Sequence, residues 1–220
     1  MASGTGSNAA AILNAVDRGD LQAHVTTIIS NRSDAGVIDI AAQHGVPSHV
    51  VLRKDFDSRN AQQRRMLELL QMTQTEFVAL AGFSSILKPE IVTAYPNQIL
   101  NIHPSLLPAF AGGMAPQPQA EALKAGVKVS GCTVHLVTNA IDAGPIVAQA
   151  PVPVLPDDTV DSLSKRILEQ EHQLYPMVLQ WFADGRTHIS DGQVHVAVSY
   201  THLRAHETLR YLVCRLLHEK

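Results

Sequence analysis

Cysteine is almost missing from this chain. Cys132 and Cys214 make neither a disulfide framework nor a zinc set, which suits a reducing cytosol, and no metal is expected. Long apolar runs are missing too: none approaches the roughly 20 residues of a membrane span. The N-terminus lacks the charged and apolar regions of a signal peptide. There is little excess charge, and a net charge of -3 leaves no basic footprint for nucleic acid. No internal repeat and no low-complexity linker is present. These absences lead us to expect a cytoplasmic protein without nucleic-acid or membrane partners.

The composition is that of a globular protein, 45% hydrophobic and 17% charged. A chain of 220 residues buries roughly 70% of its unfolded surface, as one large domain or two small ones. Strand and helix patterns alternate. His24 to Ser30 reads as a strand, Ser33 to His44 as a helix stopped by Gly45, and Val50 to Leu52 as a strand. A helix capped by Asp57 or Ser58 runs to about Met72. Phe77 to Ala81 reads as a strand, and Pro89 starts a short helix ending near Tyr95. Such alternation predicts right-handed βαβ units, hence an α/β fold: a Rossmann-like, mostly parallel twisted sheet with helices on both faces.

Gln98 to His103 is the stretch that carries chemistry. It reads as a buried strand stopped by Pro104, and alternation sends Leu100 and Ile102 to one face, Asn101 and His103 to the other. An amide donor beside an imidazole at the carboxyl end of a strand stands where open α/β sheets bind ligands. The same two residues also serve to cap a strand end. Residues 104 to 118 are too rich in proline and glycine for regular structure, and so form a long loop leaving from the polar strand end. A helix from about Gln119 to Ala125 and strands at Gly131 to Val137 and Ile146 to Val154 follow. Between those strands lies a tight turn at Asp142, which either bonds its own backbone or faces His103.

The start is abrupt. Gly4 to Asn8 is a glycine-rich turn leading into a helix from Ala9 to Val16, with no strand ahead of it, so the sheet is expected to lack its first strand. Backbone N–H groups at Gly6, Ser7 and Asn8 lie at the positive end of that helix, where a phosphate is held; a tight turn with a Ser or Asn cap fits as well. Near the other end, Asp157 or Asp158 is expected to cap a long helix, Thr159 to Phe182, bent at Pro176. His188 to His195 reads as a hairpin turned at Asp191-Gly192, its histidines exposed strand residues rather than metal ligands.

Together, Ser3-Gly4-Thr5-Gly6-Ser7-Asn8, Asn101-Ile102-His103-Pro104-Ser105-Leu106-Leu107-Pro108, Gly131-Cys132-Thr133-Val134-His135 and Asp142-Ala143-Gly144-Pro145-Ile146 resemble the phosphoribosylglycinamide formyltransferase family. The resemblance runs from about residue 2 to about residue 196. It implies that Asn101, His103 and Asp142 are catalytic and that Gly6, Ser7 and Asn8 hold the substrate phosphate. It implies 10-formyltetrahydrofolate as co-substrate and glycinamide ribonucleotide as acceptor, in purine biosynthesis, by a monomer or homodimer. The folate is expected against Arg59, Ser84, Ser85, Ile86, Leu87 and Asn101. Ser84 and Ser85 depart from the Met and Arg usual in the family, and Gly112 to Pro116 replaces a His-containing segment. The Asn-x-His-Pro run with a distant Asp-x-Gly-Pro is shared with other folate-dependent transferases and with formyltetrahydrofolate deformylase. Those activities, and a catalytically impaired phosphate-binding α/β module, are the alternatives.

The resemblance covers an expected domain of residues 1–197. Residues 198–220 are expected to be an atypical tail outside that domain, with a helical stripe of Leu209, Leu212, Val213, Leu216 and Leu217.

Overall fold

In the computed structural model, which describes residues 1–197, the polar strand β4 (Ile99–His103) lies between a parallel and an antiparallel neighbour. The tail 198–220, with its expected stripe and Cys214, lies outside the described residues. Ahead of β4 come α1 (Ser7–Asp17), β1 (Ile28–Ser30), α2 (Val37–Gln43), β2 (Ser48–Val50), a 3-10 turn (Arg53–Asp55), α3 (Arg59–Met72), β3 (Val78–Leu80) and α4 (Pro89–Ala94). After it come α5 (Gln117–Ala125), β5 (Val129–Leu136), β6 (Ile146–Pro153), α6 (Val160–Ala183) and the hairpin of β7 (Thr187–Ser190) and β8 (Gln193–Val196).

The α/β fold is the one expected, with one change of direction. Pairs β1–β2 and β3–β4 are parallel, whereas β4–β5 and β5–β6 are antiparallel. No crossover helix separates β5 from β6, so the chain returns through the Asp142 turn. Strand β1 is shorter than the expected 24–30, because β2 offers only Ser48–Val50 as a partner.

Among the described residues no regular strand precedes α1, as expected, and Met1 to Ser3 bond to both parallel pairs. The Met1 amine donates to the Ala79 carbonyl at 2.6 Å, and the Ala81 N–H to the Met1 carbonyl at 2.9 Å. On the other side the Ala2 N–H donates to the Ile29 carbonyl at 3.1 Å. Enclosure between the two pairs lowers the proton affinity of the Met1 amine to about 5.

Helices cover both faces. One core layer joins Leu100 and Ile102 to Ile12 and Leu13 of α1 and to Leu163, Ile167 and Tyr175 of α6. The opposite layer joins Ile99, Val78 and Leu80 to Met66 and Leu70 of α3 and Ile91 of α4. Each such side chain contributes about 1.5–3 kcal/mol on burial. Asn101 and His103 follow Ile99 along this second face, so β4 turns from apolar to polar without changing its pleat.

The long helix corrects one expectation. Thr159, rather than Asp157 or Asp158, caps α6 in a reciprocal box with Ser162. Asp158 instead accepts from Arg166 through two bonds of 2.8 Å, which holds its carboxyl well below the usual range. Pro176 lies inside the helix without ending it. The buried Tyr175 hydroxyl donates to the carbonyl oxygens of Leu100 (2.9 Å) and Leu80 (3.2 Å), tying α6 to both parallel strands.

Candidate active site

Strand pairing does most of the assembly. Asn101 and His103 emerge on one face of β4, and the antiparallel register sets His135 of β5 directly opposite Asn101 and Thr133 opposite His103. The third residue arrives on the turn before β6. Asp142 takes φ 49°, the left-handed region that Asp and Asn tolerate. Gly144 lets that turn lie on β5, since a Cβ there would collide with the Leu136 carbonyl. Asp142 Oδ2 then lies 3.3 Å from His103 Nδ1, and its Oδ1 lies 3.6 Å from His135 Nε2. The Gly112 N–H donates to Asp142 Oδ2 at 2.8 Å.

His103 is 2% exposed, and both its nitrogens face oxygen. Nδ1 faces Asp142, while Nε2 lies 3.1 Å from the Phe110 carbonyl. The Phe110 carbonyl only accepts, so Nε2 is placed to donate to it. Asn101 Nδ2 lies 3.0 Å from His135 Nε2. Burial lowers the proton affinity of His135, opposed by the Leu136 carbonyl and the Asp142 carboxylate.

These groups line a cavity of about 600 Å³, whose far wall is the start of α1. Gly6 takes φ 84° at the helix N-cap, and a Cβ there would lie 2.8 Å from Val37 Cα, so glycine is required for the turn. Gly6, Ser7 and Asn8 all line the cavity, at the end where helix N–H groups are free to bind an anion. Glu171 of α6 closes that corner. It is 6% exposed, its Oε2 accepts from Asn8 Nδ2 at 2.6 Å, and burial raises its proton affinity. The buried Asn8 Oδ1 has no partner among the described residues.

Ser84, Ser85, Ile86 and Leu87 form another wall. The Ser84 N–H donates to Ser3 Oγ at 2.8 Å, and Asn31 Nδ2 donates to Ser84 Oγ at 3.3 Å. The buried Gln63 shapes the bend that follows, donating to the Ile86 carbonyl and accepting from the Lys88 N–H. The start of the 104–116 loop is pinned by Thr133, whose Oγ1 donates to the Ser105 carbonyl and accepts from the Leu107 N–H. Arg59 opens α3 as an exposed residue and does not line the cavity.

Reading the sequence missed Glu171, Gln63 and the role of His135. Glu171 looked like one more polar residue on a helix, and only the facing of α6 and α1 aims it at the anion corner. The facing pair Asn101 and His135 follows from the register, which the family motif containing His135 hinted at without specifying.

A glycine-turned helix start, sharing one cleft with an amide, an imidazole and a carboxylate, suits an acyl- or formyl-transferring α/β enzyme. The formyl transferase family model matches residues 1–179, and the chain belongs to that family. It is 41% identical over 184 residues to the phosphoribosylglycinamide formyltransferase of Escherichia coli (strain K12), covering 84% of this chain and 85% of that one. Among solved structures, glycinamide ribonucleotide transformylase 1 from Symbiobacterium toebii superimposes with a TM-score of 0.86 at 43% identity, over 90% of this chain and 92% of that one. A formyltetrahydrofolate deformylase from Pseudomonas syringae is similar at 28% identity and a TM-score of 0.83, over 90% of this chain and 64% of that one.

Proposed function

We propose that this chain transfers the formyl group of 10-formyltetrahydrofolate to the amine of glycinamide ribonucleotide in purine biosynthesis. The observation that carries this reading is the convergence of Asn101, His103 and Asp142 in the same cavity as the Gly6–Asn8 cradle. The cradle holds the phosphate, and Glu171 and Asn8 offer polar atoms beside it for the ribose hydroxyls. The folate lies against residues 84–87, leaving Arg59 outside the contact.

The acceptor amine attacks the formyl carbon, and negative charge gathers on the formyl oxygen. His103 Nε2 and Asn101 Nδ2 donate to that oxygen, each worth on the order of 3 kcal/mol in the transition state. In the structure the Phe110 carbonyl occupies His103 Nε2, so the formyl oxygen takes its place. Asp142 anchors the imidazolium at Nδ1 and receives the proton leaving the amine, directly or through a water. As the C–N bond to folate breaks, folate nitrogen takes up a proton, leaving tetrahydrofolate and the formamide. No covalent enzyme intermediate is involved.

Mixing the protein with glycinamide ribonucleotide and 10-formyltetrahydrofolate tests the proposal. Formylated ribonucleotide is the expected product. Release of formate at the same rate with and without the ribonucleotide would instead identify a deformylase.

A further inference from the structure

The buried imidazole of His135 is used by none of these steps, although it touches two of the residues that take part. We propose that His135 is a positioning residue: kept as the neutral ring with its hydrogen on Nδ1, it accepts from Asn101 and so fixes which end of that amide faces the reacting groups. The proposal rests on the transferase reading above and adds a residue to it.

The hydrogen-bond partners dictate the form of the ring. His135 Nδ1 lies 3.0 Å from the Leu136 carbonyl oxygen, which only accepts, so Nδ1 carries a hydrogen. Nε2 lies 3.0 Å from Asn101 Nδ2, which only donates, so Nε2 is bare. The two ends of an asparagine amide have nearly the same shape and opposite polarity. Nothing in packing alone tells them apart; a bare Nε2 does. It accepts one amide hydrogen and leaves the second for the formyl oxygen. A hydrogen on Nε2 would demand the amide oxygen instead and turn the donor away.

The charged and titratable groups facing this ring are Asp142 on the turn before β6 and His103 on β4. Asp142 favours a second proton on His135, whereas burial and the His103 ring oppose it. Burial is the largest of these effects, so the ring stays neutral through neutral pH and takes the second proton only below the ordinary histidine value of about 6.5. Turnover should then fall on the acid side as the amide turns.

Two arms test this. In 15N-labelled protein at pH 7, the His135 ring, assigned by its loss in His135→Gln, should show the neutral Nδ1–H form. An Nε2–H form or a charged ring overturns the proposal. This arm needs no turnover, so it decides the matter even where the transferase assay fails. In the assay, His135→Leu removes the acceptor and should lower kcat about 10- to 100-fold with KM for both substrates within about two-fold. His135→Gln restores an acceptor and should recover most of that loss, with its acid limb displaced to lower pH. Equal kcat in both variants, or an unmoved acid limb, overturns it, provided thermal melts show both folded.

Discussion

At the carboxyl end of β4, the polar side chains placed in the reaction lean on one another: Asn101 on His135, His103 on Asp142, and Asp142 on the Gly112 N–H. At the seam between β1 and β3, Met1 to Ser3 supply backbone bonds across the gap, and a cavity of about 470 Å³ opens beside them, lined by Ile12, Leu13, Ile29, Val78 and Phe182. The first region is organised by ladder register, which repeats along a strand and cannot drift by one residue without exposing the core. The second depends on a few backbone bonds and on one enclosed amine. The two meet at Ser3, whose hydroxyl accepts from the Ser84 N–H in the cleft wall. The side-chain geometry at the end of β4 is thus set by the β4–β5 register, whereas the seam rests on local backbone bonds.

The sharpest way to break the first region and spare the second is Asp142→Asn. Asparagine tolerates the positive φ of that turn, so the melting temperature should stay within a few degrees while kcat drops about 1000-fold, roughly 4 kcal/mol of transition-state stabilisation. Steady-state rates and a thermal melt on the same sample check this, and near-normal turnover would remove Asp142 from the mechanism.

The second region breaks through pH. The Met1 amine has its proton affinity lowered to about 5 in the fold and is near 8 in an open chain. Between those values the unfolded chain holds a proton that the folded one does not, so stability is greatest above pH 8 and declines as the pH falls towards 5. The slope reaches about 1.4 kcal/mol per pH unit. Urea unfolding at pH 8 and pH 5.5 should show the decline. A chain acetylated at Met1, which has no amine to protonate but keeps an N–H for the Ala79 carbonyl, should lose this component. Identical pH dependence in the two chains would mean that the amine is not enclosed.

The smallest effect sharpens the boundary between them. Tyr175 bonds the carbonyls of Leu80 on β3, beside the seam, and Leu100 on β4, which carries the site. Tyr175→Phe should lower stability by about 1 kcal/mol and leave kcat within two-fold, measured by denaturant midpoint and steady-state rate. A larger loss of kcat than of stability would show that β4 depends on α6 for its placement.

Much of the cleft was legible from residue order. The alternation in Ile99–His103 fixed which side chains share a face, Pro104 marked the strand end, and Gly4–Asn8 marked the glycine turn into a helix that lines the cleft. The expected strand at 24–30 was too long, because strand length depends on the partner and β2 is short. The α6 cap was misjudged between adjacent candidates: Thr159 and Ser162 cap reciprocally, and the Arg166 pair claims Asp158. Arg59, expected at the folate by resemblance, is an exposed residue at the start of α3 and is not among the residues lining the cavity.

Local order along the chain determined the elements, the polar end of β4 and the flexible-backbone positions, because these follow from side-chain alternation and φ preferences over a few residues. Tertiary structure alone decided that Glu171 reaches Asn8, that His135 faces Asn101, and that Met1 to Ser3 bond to both parallel pairs. Those contacts join residues far apart in sequence, and their distances are set by how strands register and helices pack.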